Sequence, residues 1–148
     1  MIKTIIQIWG KAGSGKTTTI KIIRNELERK YLNPHHTYSY PLPNGEIFEI
    51  FDCDGILIGI SSMGDDLTEF LKNHLIECFD NCDIIIAASR VYNNVDKFIE
   101  KKAKEKSFRK IKATNYRLNE TKPIQFNFNK QSAIDIVNLI NEIKTGKI

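Results

Sequence analysis

Eight residues near the start of the chain combine glycine, lysine and threonine at a spacing that suits phosphate binding. They fit the pattern GxxxxGK[ST] at every fixed position and read Gly10-Lys11-Ala12-Gly13-Ser14-Gly15-Lys16-Thr17. The glycines allow a tight turn, so that successive backbone N–H groups and the N-terminus of a following helix point at negative charge. We expect Lys16 to reach the β- and γ-phosphates of a nucleotide, Thr17 to bind Mg²⁺ through its hydroxyl, and Thr18 to meet the α-phosphate.

This loop resembles the Walker A motif of the P-loop NTPase superfamily. The resemblance implies that the whole segment from Gly10 to Thr17 binds a nucleoside triphosphate together with Mg²⁺. The segment is also similar to the variant loop KGGxGK[ST] of ParA- and MinD-like ATPases, whose extra lysine reaches the nucleotide across a dimer. Ala12 departs from that variant, so we expect Lys11 to face solvent, with the dimer role as the alternative.

The segments on either side of the loop predict the strand and helix that must position it. Residues 2–9 are a β-rich, mostly apolar run of the kind that forms a buried parallel strand. Residues 16–30 carry Ile20, Ile23 and Leu27 at steps of three and four among charged residues, which indicates an amphipathic helix. The order strand, glycine loop, helix is the one that a phosphate-binding loop requires.

Further along the chain, strands and helices alternate. Residues 33–45 predict a loop with a short edge strand at 36–40, and residues 46–51 and 56–60 predict an antiparallel hairpin around an Asp-Gly turn. The remaining predicted elements are a helix that begins near Asp65, a strand at Asp83–Ser89, a helix at Val95–Lys106, strands at Arg109–Ala113 and Ile124–Phe128, and a helix at Gln131–Ile143.

Alternation of this kind predicts an α/β fold. We expect a three-layer sandwich, in which a mainly parallel open sheet of five or six strands carries helices on both faces, with the first strand central and an antiparallel hairpin at one side. At 148 residues the chain suits one core, so we treat residues 1–148 as a single nucleotide-binding domain.

Two aspartates compete for the acidic position beside a bound magnesium ion. Asp52 ends an apolar run, but the hairpin places it in a turn at the pole opposite the glycine loop. Asp65 follows the second hairpin strand, whose end lies at the pole of the loop, and we favour Asp65 as the catalytic and metal-binding carboxylate. The alternative is that Asp65 stabilises a helix N-terminus.

Two cations are candidates for a catalytic role at that pole. Lys16 belongs to the loop itself, and Arg90 follows the strand that ends at Ser89. An arginine there could neutralise the charge of a transferring phosphoryl group, or it could form a surface ion pair.

The hairpin followed by a glycine turn also resembles Ras-like GTPases. In that family DxxG supplies a magnesium aspartate, whereas the matching stretch here is Ser61-Ser62-Met63-Gly64. No NKxD follows the strand Arg109–Ala113, where Thr114-Asn115-Tyr116-Arg117 stands instead, so guanine selectivity has no visible source. We therefore expect ATP as the nucleotide, with GTP as the less favoured choice.

Composition sets the class of protein. Hydrophobic residues make up 41% and charged residues 27% of the chain, and the net charge is +4, which allows contact with polyanions without requiring it. No apolar stretch reaches the roughly 18–20 residues that cross a bilayer. Three cysteines without a CxxC pair suit reduced thiols. We expect a cytoplasmic protein that contacts no membrane.

Three functions fit these residues. The first is a Mg²⁺-dependent ATPase or ATP-dependent switch, working alone, with a protein partner or as a homodimer. The second is a small-molecule or nucleotide kinase, which needs an acceptor pocket and a lid, for which residues 90–109 are short. The third is a nucleotide-regulated nucleic-acid-binding accessory protein. Its phosphate contacts would come from Lys101, Lys102, Lys104, Lys106, Arg109, Lys110 and Lys112.

Overall fold

The computed structural model describes residues 1–11, 13, 15–31, 35–41, 45–116 and 122–148, with the backbone alone for residues 35–41, 122 and 123. Six strands and four helices follow one another along these residues. In chain order they are β1 (Thr4–Trp9), α1 (Lys16–Lys30), β2 (His35–Pro41), β3 (Ile47–Cys53), β4 (Ile56–Ser61), α2 (Glu69–Asn81), β5 (Ile84–Ser89), α3 (Asn94–Glu105), β6 (Arg109–Ala113) and α4 (Lys122–Lys144).

The strands form one sheet in the order β2-β3-β4-β5-β1-β6. Strands β4, β5, β1 and β6 are parallel to one another, whereas β3 is antiparallel to both of its neighbours. The predicted α/β sandwich with a mainly parallel sheet and an antiparallel hairpin is therefore confirmed. The prediction that β1 is central is wrong, because β1 has neighbours on both sides but lies one strand from the edge. β5 separates it from β4.

Apolar side chains cover both faces of the sheet, because successive residues of a strand point to opposite sides. In β1, Ile6 and Ile8 pack in a cluster with residues of α1 and α4. Ile5 belongs to a second cluster, which contains residues of α2 and α3. The two clusters hold helices against both faces, as a three-layer arrangement requires.

The hairpin turn lies at the pole opposite the glycine loop. Asp54 and Gly55 have positive φ angles of 54° and 85°, the left-handed pair that a tight two-residue hairpin needs. The Gly55 N–H donates to Asp52 Oδ1 at 2.7 Å. Because β4 starts here and runs parallel to β5 and hence to β1, Asp52 lies at the pole remote from the loop, as predicted. Asp52 is nevertheless a residue of β3, paired with Leu57, and the turn itself consists of Asp54 and Gly55.

The helix predicted to begin near Asp65 begins four residues later, at Glu69. Thr68 is its N-cap, with extended backbone and a hydroxyl that accepts a hydrogen bond from the Leu71 N–H at 3.1 Å. The alternative role of Asp65 as a charge in the first helical turn is therefore wrong. Asp65 instead belongs to the segment that connects β4 to α2.

The strand predicted at Ile124–Phe128 is wrong, because these residues form the first turns of α4. The alternation of apolar and polar residues there leaves Ile124 and Phe126 exposed, by 45% and 52%. Burial of α4 starts at Asn129 and continues at helical spacing through Ala133 and Ile140. Although α4 has 23 residues, no described helix combines the length and apolarity needed to cross a bilayer.

The three cysteines are buried free thiols. Burial raises the pKa of Cys53 to about 11. A hydrogen bond with Cys82, together with burial, raises the pKa of Cys78 well above its usual value. Cys53 and Cys78 therefore stay protonated at neutral pH. All three cysteines act as small apolar residues of the core.

Candidate functional site

A cleft of about 520 Å³ opens at the edge of the sheet where the parallel strands end. That volume is in the range that small-molecule ligands occupy. Its walls come from the glycine loop and first turn of α1, from the segment that follows β4, and from the residue before β3. The described lining residues are Gly13, Gly15, Lys16, Thr17, Thr18, Glu46, Ser62, Met63, Gly64, Asp65, Asp66 and Thr68.

The glycine loop joins β1 to α1. Its first residue is tied to the neighbouring strand, since the Gly10 N–H donates to the Ser89 carbonyl at 3.2 Å. Gly13 and Gly15 have φ angles of 71° and 83°, which residues with a Cβ adopt at a cost. Gly15 is the N-cap of α1, so the positive end of the helix faces the cleft. Ala12 and Ser14 lie outside the described residues.

Lys16 starts α1 and is only 7% exposed. Its Nζ donates to the carbonyl oxygens of Gly10 at 2.9 Å and Lys11 at 2.6 Å, which orients the ammonium along the loop. Thr18 also lines the cleft, whereas Lys11 is exposed. The structure thus brings Lys16, Thr17 and Thr18 to one wall and leaves the Lys11 side chain open to solvent.

A carboxylate that the sequence reasoning missed lies against Thr17. The Thr17 hydroxyl is 3.4 and 3.5 Å from the two carboxylate oxygens of Glu46. Ser62 holds the same carboxylate, because its hydroxyl donates to Glu46 Oε2 while it accepts from the Ile47 N–H at 2.7 Å. Hydroxyl and carboxylate oxygens are the ligands that Mg²⁺ prefers, so Thr17 and Glu46 fit a magnesium ion.

The segment after β4 lies close against the end of β5. A Cβ at Gly64 would stand 2.6 Å from the backbone of Ala88, so only glycine fits this crossing. The Gly64 carbonyl accepts from the Arg90 N–H at 3.1 Å and from Asn93 Nδ2 at 2.9 Å. Asn93 also caps α3, because its side chain accepts from the Asp96 N–H. The Ser62–Asp66 wall is therefore tied to the start of α3.

Asp65 and Arg90 meet each other at the rim. Arg90 Nε donates to Asp65 Oδ1 at 2.9 Å, and the two side chains are 45% and 57% exposed respectively. Asp65 is among the described lining residues of the cleft, and Arg90 is not. Both residues lie at the pole predicted from the sequence, and the surface ion pair expected as the alternative for Arg90 is present, with Asp65 as its partner.

Helix α4 packs against the glycine loop. A Cβ at Gly15 would stand 2.7 Å from Asn129 Oδ1, so the Asn129 side chain lies directly against the loop. Asn129 is 4% exposed and accepts from Gln125 Nε2 at 2.9 Å. The contact could not be expected from the sequence, because the alternating residues 124–128 predict a strand where α4 begins.

The basic residues proposed for nucleic-acid contact are mostly engaged in ion pairs. The amino groups on α3, on β6 and between them lie beside carboxylates that neutralise much of their charge. These pairs are Lys101 and Lys102 with Glu105, Lys104 and Lys110 with Glu100, Lys106 with Asp80, and Lys112 with Asp96. Exposed pairs add little stability, but they weaken the positive potential that a polyanion would meet.

Comparison with protein-family models, with curated proteins and with solved structures found no match to this chain. The resemblance of Gly10–Thr17 to the Walker A motif therefore stays a prediction from the sequence. Any functional argument depends on that motif together with the geometry of the cleft.

Proposed function

We propose that this protein binds ATP with Mg²⁺ in the cleft and acts as an ATPase or an ATP-dependent switch. One observation carries the proposal. The motif Gly10–Thr17 lies between a buried parallel strand and the N-terminus of a helix, with Lys16 and Thr17 on the wall of a ligand-sized cleft. This is the context that the motif needs if it is to bind phosphate.

The parts of the cleft match the parts of a magnesium nucleotide. Backbone N–H groups at the start of α1 and the Lys16 ammonium suit the phosphate oxygens, since both present positive charge where anions would lie. Thr17 and Glu46 suit the metal ion, which supplies charge neutralisation to the β- and γ-phosphates when it is bound. The remaining wall, Ser62–Asp66, lines the same cleft, and in this proposal its closure reports whether the γ-phosphate is present.

ATP is the nucleotide that the sequence favours. Thr114-Asn115-Tyr116-Arg117 stands where an NKxD motif would select guanine, and Arg117 lies outside the described residues. GTP remains the less favoured alternative. Cytoplasmic location and assembly with a protein partner or a second copy through Lys11 also stay predictions.

The two other functions have less support. The ion pairs of α3 and β6 weaken the case for a nucleic-acid surface. A kinase would need a lid, and residues 90–109 consist mainly of α3, which is tied to the rim of the cleft through Asn93. The ATPase or switch needs only the parts already described.

Calorimetric titration with ATP, ADP, GTP and GDP in the presence of Mg²⁺ tests the proposal. We expect one ATP to bind per chain, and Lys16→Ala to weaken binding by roughly 10- to 100-fold, because a hydrogen bond to a charged group contributes about 1.5–3 kcal/mol. Lys30→Ala is the matched control, since Lys30 is an exposed lysine in the last turn of the same helix. The Lys30→Ala variant should bind ATP with the same affinity as the unsubstituted chain.

Phosphate release in the same samples separates the two forms of the proposal. Slow release indicates an ATPase. Tight binding without release indicates a switch that needs a partner, or a kinase whose phosphoryl acceptor is missing from the sample. If ATP does not bind, or if Lys16→Ala binds it unchanged, the proposal is wrong.

A further inference from the structure

The hairpin places a carboxylate at the cleft by an unusual route. Parallel strands deliver the residues that follow them to this edge of the sheet, but β3 runs the opposite way and therefore delivers the residue that precedes it. That residue is Glu46. Backbone bonds between Ser62 N and the Ile47 carbonyl, at 3.0 Å, and the bond from the Ile47 N–H to the Ser62 hydroxyl fix its position.

Three carboxylates line the described cleft, and their surroundings differ. Asp65 is exposed and forms an ion pair with Arg90 at the rim. Asp66 is exposed too. Glu46 is half-buried, is held by the hydroxyl of Ser62, a residue only 2% exposed, and lies within 3.5 Å of the Thr17 hydroxyl. Glu46 is thus the carboxylate whose position is fixed beside the proposed metal ligand.

We propose that Glu46 is the carboxylate that holds Mg²⁺ beside Thr17, with Ser62 as its positioning residue. The inference depends on the proposed function, since the ion arrives with the nucleotide. Ser61 stands where the DxxG motif of Ras-like GTPases has its aspartate. The next residue, Ser62, serves the metal indirectly by orienting Glu46. Without Mg²⁺ the Glu46 charge repels the phosphates, and with Mg²⁺ the same charge attracts the metal ion that the phosphates hold.

This arrangement predicts a specific change in the metal dependence of binding. Glu46→Gln keeps the size of the side chain and an oxygen for the Ser62 hydroxyl, but removes the negative charge. We expect ATP affinity in EDTA to be equal or higher in this variant, whereas the gain in affinity on adding Mg²⁺ falls by about tenfold or more. Asp66→Asn is the matched control, because it removes one charge from the same cleft, and its gain should be unchanged.

Calorimetry with ATP, in EDTA and in saturating Mg²⁺, measures these gains, and thermal melting of each variant checks that it is folded. A second variant, Ser62→Ala, leaves the Glu46 carboxylate but removes its anchor. Ser62→Ala should raise the Mg²⁺ concentration needed for half of the gain in affinity. Ser62→Thr retains a hydroxyl, so in this variant that concentration should equal the value for the unsubstituted chain. If Ser62 had only a structural role, the Mg²⁺ concentration for half-saturation would be the same in Ser62→Ala as in the unsubstituted chain.

The outcomes separate this inference from the proposed function. If the unsubstituted chain binds no ATP, both are wrong. If it binds ATP and Glu46→Gln keeps the full gain from Mg²⁺, the inference on Glu46 is wrong and the proposed function stands. Equal losses in Glu46→Gln and Asp66→Asn would also overturn it, because they would reflect the general charge of the cleft.

Discussion

The two ends of β3 carry acidic residues in very different surroundings. Asp52, near the end of the strand, accepts a hydrogen bond from the Gly55 N–H within a hairpin turn. Glu46, just before the strand, lies against Thr17 and Ser62 in the cleft. By pattern alone Asp52 is the better candidate for a metal site, since it ends an apolar run. The direction of the strand nevertheless puts Glu46, and not Asp52, at the edge where the parallel strands end, which is where α/β sheets bind ligands.

Gly64 beside the cleft and Gly55 in the hairpin turn differ in how tightly they are packed, and this difference predicts the largest effect. Gly64→Ala should destabilise the chain by about 3 kcal/mol, because its Cβ would stand 2.6 Å from the Ala88 backbone. Gly55→Ala should cost only about 1 kcal/mol, since its φ of 85° is strained for alanine but nothing lies within 4 Å. Urea denaturation measures both. Equal costs would contradict the close packing of the cleft wall.

An effect of intermediate size concerns pH. His74, on α2, lies 2.9 Å from the Ile60 carbonyl through Nε2, stacks on Phe48 and contacts Cys78. Burial lowers the pKa of His74 from its ordinary value of 6.5 to about 4. The unfolded chain therefore binds more protons between these values, so the contribution of neutral His74 is complete above pH 6.5 and is lost as pH falls toward 4.

From pH 7 to pH 5 the loss due to His74 should be about 2 kcal/mol in the free energy of unfolding. His74→Gln removes the titrating group, so its stability should fall less over the same interval. Urea denaturation of both proteins at the two pH values measures the difference. Parallel decreases would show that His74 is not the group responsible.

The smallest effect concerns the exposed pair of Asp65 and Arg90. A double-mutant cycle with Asp65→Asn and Arg90→Gln should give a coupling energy of about 0.2–1 kcal/mol for stability, because water and salt screen both charges. The coupling should decrease further in 1 M salt. A coupling well above this range would mean that the rim is more rigid than its exposure indicates.

The sequence predicted the loop and the general fold well, and the cleft only in part. The motif at Gly10–Thr17 and the limits of α1 follow from local spacing, which is why α1 was placed at residues 16–30 as observed. The position of Glu46 beside Thr17 depends on a contact between residues 29 positions apart, which no local pattern encodes. The strand predicted at residues 124–128 is wrong because the alternation of apolar and polar residues there fits a strand, whereas their burial depends on how α4 packs as a whole.

Hydrogen exchange of backbone amides with and without Mg²⁺ and ATP tests the central claim most directly. The account predicts slower exchange at Gly10–Thr18 and at Ser62–Asp66 when the ligand is bound, with no change in the turn at Asp52–Gly55, which serves as an internal control. Unchanged exchange at Gly10–Thr18 in saturating Mg²⁺ and ATP would contradict the claim that this loop binds the nucleotide.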